Sequence, residues 1–229
     1  MSQVFLIPSL LDDENISVIS SSIVESIQQC DAFFVEKDRT TRRYFKKIWP
    51  AMRIDDYQWE TIDESAEKKF TDLLKAGKTI GIVSEAGCPG IADPGQSLVA
   101  IAHRLGVTVR PLTGPSSIIL ALMGSGLNGQ QFQFIGYLPI DANARKQAIK
   151  EIQLRSQKNN STQIFIETPY RNNQLLESLL QHCAGQTRIC IAADLTGSTE
   201  MIRTKTINEW EKDKPNLNKR PAIFLLLAS

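Results

Sequence analysis

The sequence predicts an α/β fold of two α/β domains, with a mostly parallel sheet in the N-terminal domain and a mixed sheet in the C-terminal one. Three observations carry this expectation. Short apolar runs, such as residues 4–7 and 32–35, alternate with amphipathic stretches at helical spacing. Residues 79–83 are almost continuously apolar, as a strand covered on both faces of a parallel sheet must be. In the second half, residues 189–193, 201–206 and 221–228 follow one another with little helix between them, which suits a mixed sheet.

A chain of 229 residues, 42% of them hydrophobic, can bury one large or two small cores. The boundary is placed in the glycine-proline loop near Gly114, giving domains of residues 1–113 and 114–229. A formal net charge of +1 supplies no overall field toward nucleic acid, so any RNA contact has to come from a local patch. Cys30, Cys88, Cys183 and Cys190 are widely spaced and form no CxxC, which indicates neither a disulfide framework nor a metal site. Reduced thiols in a cytoplasmic protein are expected. The N-terminus has no basic leader region, and its apolar run is broken by Pro8 and then by acids, so it does not read as a signal peptide. The most apolar run, residues 222–228, is far shorter than the about 20 residues a membrane helix needs, so no membrane partner is expected.

Taken in order, residues 4–7 read as a strand, and Ile16, Ile19, Ile23 and Ile27 then recur at the spacing of one amphipathic helix. After a strand at residues 32–35, residues 36–47 place five basic residues in their last nine positions, either a solvated helix face or a contact for phosphate. Tyr44 and Phe45 within it read as core. Residues 52–61 carry little signal, and residues 63–75 form a charged helix closed by Gly77. Beyond the strand at residues 79–83, Gly87, Pro89, Gly90, Pro94 and Gly95 make a loop of fixed shape where backbone approaches a ligand closely. A helix over residues 96–105 and a strand over 107–112 lead to a second loop, residues 113–117. That loop opens a helix with Pro115 and Ser116 at its start, whose free N–H groups suit an anion such as a carboxylate. Gly124, Gly126 and Gly129 spell GxGxxG, but they follow a helix and not a strand, so they read as a helix end and turn. The second half continues with strands at residues 133–137 and 163–166 and helices at 144–155, 172–180 and 207–212.

Four segments in this order resemble a known family: VSEAGCPGIADPG at residues 83–95, PLTGPSS at 111–117, FIGYLP at 134–139 and IFIETPYR at 164–171. Their succession is similar to that in the tetrapyrrole methylase superfamily of S-adenosylmethionine-dependent methyltransferases. Within it the chain most resembles the branch that 2′-O-methylates a cytidine of small-subunit ribosomal RNA. The resemblance implies two α/β domains with the cofactor in the cleft between them, a homodimer, and no metal. It implies cofactor contacts at Glu85, an acid position of the family, at Gly87 and Cys88 of the first loop, and at Ser116 and Ser117 of the second. Ile166, Glu167 and Leu195 match further contacts from the C-terminal domain. For an RNA substrate, Glu36, Arg39, Arg42, Arg145 and Arg171 are the candidate contacts, with Lys146 beside them.

The chain departs from the ribosomal branch in three places. Residues 8–15, PSLLDDEN, contain no glycine where the family has a glycine-rich loop. The acid-aspartate-threonine-arginine segment is altered to Glu36, Lys37, Asp38, Arg39, Thr40, Thr41, Arg42, and residues 55–59 read DDYQW in place of a histidine-rich stretch. These departures lie where the substrate is expected, so a tetrapyrrole methyltransferase and a cofactor-binding protein without catalysis stay open as alternatives. No catalytic residue is assigned. Glu36 and Asp38 are the local base candidates, but each reads better as a salt-bridge partner of Arg39 or Arg42. His103 and His182 read as surface or packed residues, and Cys88 has no histidine near it in sequence to activate a thiolate.

Overall fold

The computed structural model describes residues 2–228. The chain divides into two compact units, Met1–Ser116 and Ser117–Ser229.

In the first unit, β1 (Gln3–Ile7), α1 (Ser22–Gln28), β2 (Ala32–Val35), α2 (Asp38–Ile48), β3 (Gln58–Thr61), α3 (Ala66–Lys75), β4 (Ile80–Val83), α4 (Gln96–Arg104) and β5 (Thr108–Pro111) follow one another. The strands form one sheet in the order β3-β2-β4-β1-β5, and each pairing between them is parallel. Because strand side chains alternate between faces, each strand feeds two cores. Phe5, Ile7, Phe33 and Val35 pack with Ile23 and Ile27 of α1 and Phe45 of α2 on one face. Val4, Phe34, Ile80 and Ile82 pack with Phe70 of α3 and Leu98 and Ile101 of α4 on the other. Ile7, Val35 and Val83 stand level in the register, so β1, β2 and β4 end together at one edge.

Two expectations need correction. The isoleucine periodicity of residues 16–27 does not make one helix: a 3-10 turn covers Ile16–Val18, and α1 begins only at Ser22. The serines between are the reason. Ser20 Oγ lies 2.8 Å from Ser22 Oγ and also accepts the Ser22 N–H, offering the backbone a local alternative to helix. Ile23 and Ile27 are buried while Ile16 is 47% exposed. The second correction is β3, which lies in the stretch that carried little signal. It is a short edge strand whose Trp59 ring packs tilted against Phe33 at 4.9 Å, and tertiary packing of this kind leaves almost no periodic trace.

The second unit contains α5 (Ser117–Ser125), β6 (Phe132–Tyr137), α6 (Ala142–Asn159), β7 (Thr162–Ile166), α7 (Asn172–His182), β8 (Arg188–Ala193), β9 (Met201–Thr206), α8 (Ile207–Trp210) and β10 (Ala222–Leu227). Its sheet runs β6-β7-β10-β8-β9, with β6 and β7 parallel and the remaining pairs antiparallel, a mixed sheet. The helix α5 packs on β8, β9 and β10. It stops at Ser125, and Gly126 follows with φ +65°, so the GxGxxG spelling is a helix end and turn. Trp210 is wholly buried and donates its indole N–H to Ile189 O at 2.9 Å, while Thr206 and Glu209 form a reciprocal capping box ahead of it. Among the described residues no helix is long and apolar enough to cross a membrane.

Phe34 is fully buried in β2, with its ring 5.1 Å from that of Phe70. Phe34→Ala should lower unfolding stability by about 3–5 kcal/mol, read from denaturant titration. A loss under about 1 kcal/mol would mean that this face of the sheet is not packed as described.

Candidate active site

Five loops leave the carboxyl edge of the parallel sheet: residues 8–15 after β1, 36–37 after β2, 62–65 after β3, 84–95 after β4 and 112–116 after β5. In open parallel sheets ligands bind at this edge, since helices cover both faces and only the loops are left to form a crevice. Three of the loops are locked together. Ser9 N–H donates to Gly87 O at 2.8 Å and Gly87 N–H to Ser9 O at 3.2 Å. The Ser9 hydroxyl donates to Ser84 O at 2.6 Å, and the Ser84 hydroxyl to Gly87 O at 2.8 Å. Gly87 holds φ +75°, and an added Cβ would sit 3.4 Å from Leu11 and from Pro115 O. Any Cβ at Gly114 would collide with the Pro8 ring, so the β5 loop can lie against the β1 loop only because that residue is glycine. The Cys88 thiol faces Pro115 O at 3.5 Å, and the Tyr44 hydroxyl donates to Pro8 O at 2.8 Å.

This rigid frame carries a group of acids. Glu36 Oε1 accepts the backbone N–H of Glu85 at 3.2 Å. Lys37 Nζ lies 2.8 Å from Glu85 Oε2, while Glu85 Oε1 is buried and has no hydrogen-bond partner. Burial, together with the charges of Glu36 and Glu85, pushes the Asp93 carboxyl up to about 6. Burial and the charge of Asp93 also raise the Cys88 thiol, so it stays protonated and is no nucleophile. A shallow recess beside Glu85 is bounded by Ser9, Asp13, Thr40, Thr41 and Tyr44. Among the described residues no group of three or more His, Cys, Asp or Glu is arranged to hold a metal ion.

The basic run on α2 is mostly engaged within the protein. Arg43 pairs with Asp13 at 3.0 Å, and Lys47 donates to Asp13 O at 2.7 Å and pairs with Glu14. Lys46 donates to Pro50 O and Met52 O. Arg42 pairs with Asp38 and stacks 5.0 Å above Trp59. Arg39 is exposed and makes no ion pair among the described residues. Asp38 is therefore a salt-bridge partner as expected, whereas Glu36 pairs with neither Arg39 nor Arg42 and turns toward Glu85.

In the second unit, β7 and β8 both run antiparallel to β10 and end beside its start, which brings Ile166, Glu167 and Leu195 to one edge. Glu167 is buried. Burial works to raise its pKa, but the hydrogen bond from Arg171 at 2.6 Å and the Thr168 N–H hold it below the ordinary range. Glu167 and Arg171, read from the sequence as contacts of two different ligands, are thus partners of each other. Arg145 requires correction as an RNA contact: it is buried, with its guanidinium donating to Ser178 Oγ and Ile140 O. An open concavity of about 780 Å³ on this unit is lined by Asp194, Thr199, Arg203 and Arg220, but Asp194 and Arg220 already bind each other at 2.7 Å. Glu200, also in its lining, accepts the Thr196 N–H.

Sequence reasoning missed Ser9, Lys37 and Asp93 as members of the edge. Asp93 had a local signal, an Asp-Pro inside a glycine loop. The others had none, because Lys37 and Ser9 meet the 84–87 turn only through strand order.

The arrangement can be set beside known proteins. The model of the tetrapyrrole (corrin/porphyrin) methylases matches residues 18–211. The chain belongs to that family. It is 32% identical over 195 residues to a protein of Halalkalibacterium halodurans named ribosomal RNA small subunit methyltransferase I, covering 85% of this chain and 65% of that one. It is 32% identical over 218 residues to the protein of the same name from Vibrio cholerae, covering 93% of this chain and 73% of the relative. The chain thus spans roughly two thirds to three quarters of the length of these two relatives. Among solved structures, the methyltransferase CobJ superposes with a TM-score of 0.64 at 14% identity over 100% of this chain and 95% of that one, a similarity of fold. The two α/β units are therefore those of a tetrapyrrole methylase.

Asp93 gives a test of the edge electrostatics. Its folded pKa of about 6 lies above the ordinary 3.8, so the protonated form favours folding below 3.8 and that contribution is lost as pH rises through 6. Asp93→Asn should raise the melting temperature at pH 7.5, with the gain shrinking between pH 6 and pH 4.5. A gain that is constant, or larger at acid pH, would show that the Asp93 carboxyl is not held protonated by burial and the nearby Glu36 and Glu85.

Proposed function

We propose that this protein transfers the methyl group of S-adenosylmethionine to a ribose 2′-hydroxyl of ribosomal RNA. The observation that carries the cofactor half is Glu85, whose buried Oε1 has no partner at an edge that also holds Glu36 and Asp93. A cationic ligand fits such a group: it supplies the missing partner and lowers the repulsion among the carboxylates. S-adenosylmethionine, when bound, supplies an electrophilic methyl on a sulfonium, and it also brings an ammonium and a carboxylate.

The chain's own residues then have separable tasks. Glu85 holds the positive end of the ligand, with its backbone fixed by Glu36. Gly87 and Cys88 present backbone that can approach the ligand, since the strap to Ser9 holds the turn rigid. Ser116 and Ser117 stand at the amino end of α5, where backbone N–H groups suit a carboxylate. Ile166, Glu167 and Leu195 are proposed as contacts through backbone and apolar surface, since the Glu167 carboxylate serves Arg171. A displacement at a methyl carbon needs alignment above all, and this rigid edge supplies it.

The RNA half is supported by the ribosomal RNA methyltransferases among the relatives and by Arg39, an exposed cation at the start of α2. Glu36, Arg42 and Arg171 are each already engaged with a protein partner. A cytoplasmic homodimer completes the reading.

Glu85→Ala should weaken S-adenosylmethionine binding by about tenfold in calorimetry, with the fold intact by circular dichroism. Unchanged affinity would remove Glu85 from the site. With radiolabelled cofactor, the protein should methylate small ribosomal subunits that lack the modification. Transfer to a precorrin and not to RNA would instead assign a tetrapyrrole substrate, and tight binding without transfer to either would mark a protein that has lost catalysis.

A further inference from the structure

We propose that Lys37 is a competing cation for Glu85: it occupies the carboxylate when no cofactor does, and so lowers the preference of the site for the charged cofactor over its neutral product. The inference rests on the placement of the cofactor's positive end at Glu85 argued above.

Lys37 stands between β2 and α2 with an extended backbone, φ −133° and ψ 111°, so its main chain is held by the elements on either side. Its side chain is free to choose. It is 71% exposed, and its ammonium lies 2.8 Å from Glu85 Oε2. A pair this exposed contributes little to folding, because water solvates the ammonium almost as well as the carboxylate does. Rotation of the lysine stem away from Glu85 therefore costs little and moves no backbone.

Glu85 is placed differently. Its side chain is 24% exposed, and Oε1 is buried without a partner. Glu36 and Asp93 lie close by with the same sign of charge. The carboxylate thus needs a cation more than the ammonium needs an anion, and the flexible Lys37 is the one within reach. When a cationic ligand arrives, Lys37 either leaves Glu85 or stays as a like charge beside the newcomer. Both outcomes cost the ligand that carries the sulfonium charge more than the product that lacks it.

Methyl transfer provides the matched pair of ligands. The carbon–sulfur bond to the methyl breaks, its electron pair stays on sulfur, and the sulfonium becomes a thioether. S-adenosylmethionine and S-adenosylhomocysteine consequently differ by one methyl and one positive charge. The ratio of their affinities reports the charge balance around Glu85 and cancels contacts common to both.

The experiment is titration calorimetry of the full chain with each ligand, on the wild type, Lys37→Ala, Lys37→Arg and Glu85→Gln, with melting curves to confirm folding. Lys37→Ala should shift the affinity ratio toward S-adenosylmethionine by about three- to tenfold, the size of one partly screened charge at short range. Lys37→Arg, which keeps the charge, should hold the ratio within about twofold of wild type. Glu85→Gln should shift it toward S-adenosylhomocysteine. If Glu85→Gln behaves as expected and Lys37→Ala leaves the ratio unchanged or moves it the other way, the competition is refuted while the site stands. If Glu85→Gln alters neither affinity nor ratio, the placement of the cofactor at Glu85 is wrong and the competition falls with it.

Discussion

The constraint on which the first unit depends is repulsion among carboxylates gathered at one sheet edge. β2 and β4 are neighbours that end level, which brings Glu36, next after β2, beside Glu85, the second residue after β4. Asp93, further along the β4 loop, joins them. Three features make this tolerable: Glu36 accepts the Glu85 N–H, Lys37 pairs with Glu85, and Asp93 holds its proton to unusually high pH. Compensation of this kind is partial. Glu85 Oε1 keeps no partner, and like charges held in place by rigid loops are a common means of tuning a site toward one sign of ligand.

The rigidity has its own source in sequence. Ser9 and Ser84 tie the β1 and β4 loops through side-chain and backbone hydrogen bonds, and Gly114 lets the β5 loop lie on Pro8. Residues 8–15 carry Asp12, Asp13 and Glu14, and α2 carries the complementary bases. Arg43 and Lys47 reach Asp13 and Glu14 and hold that segment down. A basic run that looks from sequence like a contact for phosphate is in large part the other half of this internal pairing. The acidic loop and the basic helix are one internally paired structure beside Glu85.

Much of the fold was legible because it rests on periodicity. The fully buried strands β2, β4 and β10 stand out as apolar runs, and helices such as α4 and α7 stand out by spacing. The edge strand β3 and the broken helix near Ser20 were not legible, since the first depends on Trp59 meeting Phe33 and the second on hydroxyl groups competing for the backbone. The loops at residues 84–95 and 113–117 were legible as loops from the placement of glycine and proline. Their partners were not. That Lys37 reaches Glu85 across 48 residues, or that Arg145 turns inward to Ser178 and Ile140, follows from strand order and helix packing, which local sequence does not encode.

We propose that the carboxyl edge of the parallel sheet, around Glu85, holds the methyl donor. A crystal structure of the chain with S-adenosylhomocysteine tests this placement most directly. Ligand density is expected against the 84–95 loop, with a polar atom of the ligand within hydrogen-bond distance of the Glu85 carboxylate. Density elsewhere, for instance around the turn at residues 124–129, with Glu85 still paired to Lys37 alone, would contradict it.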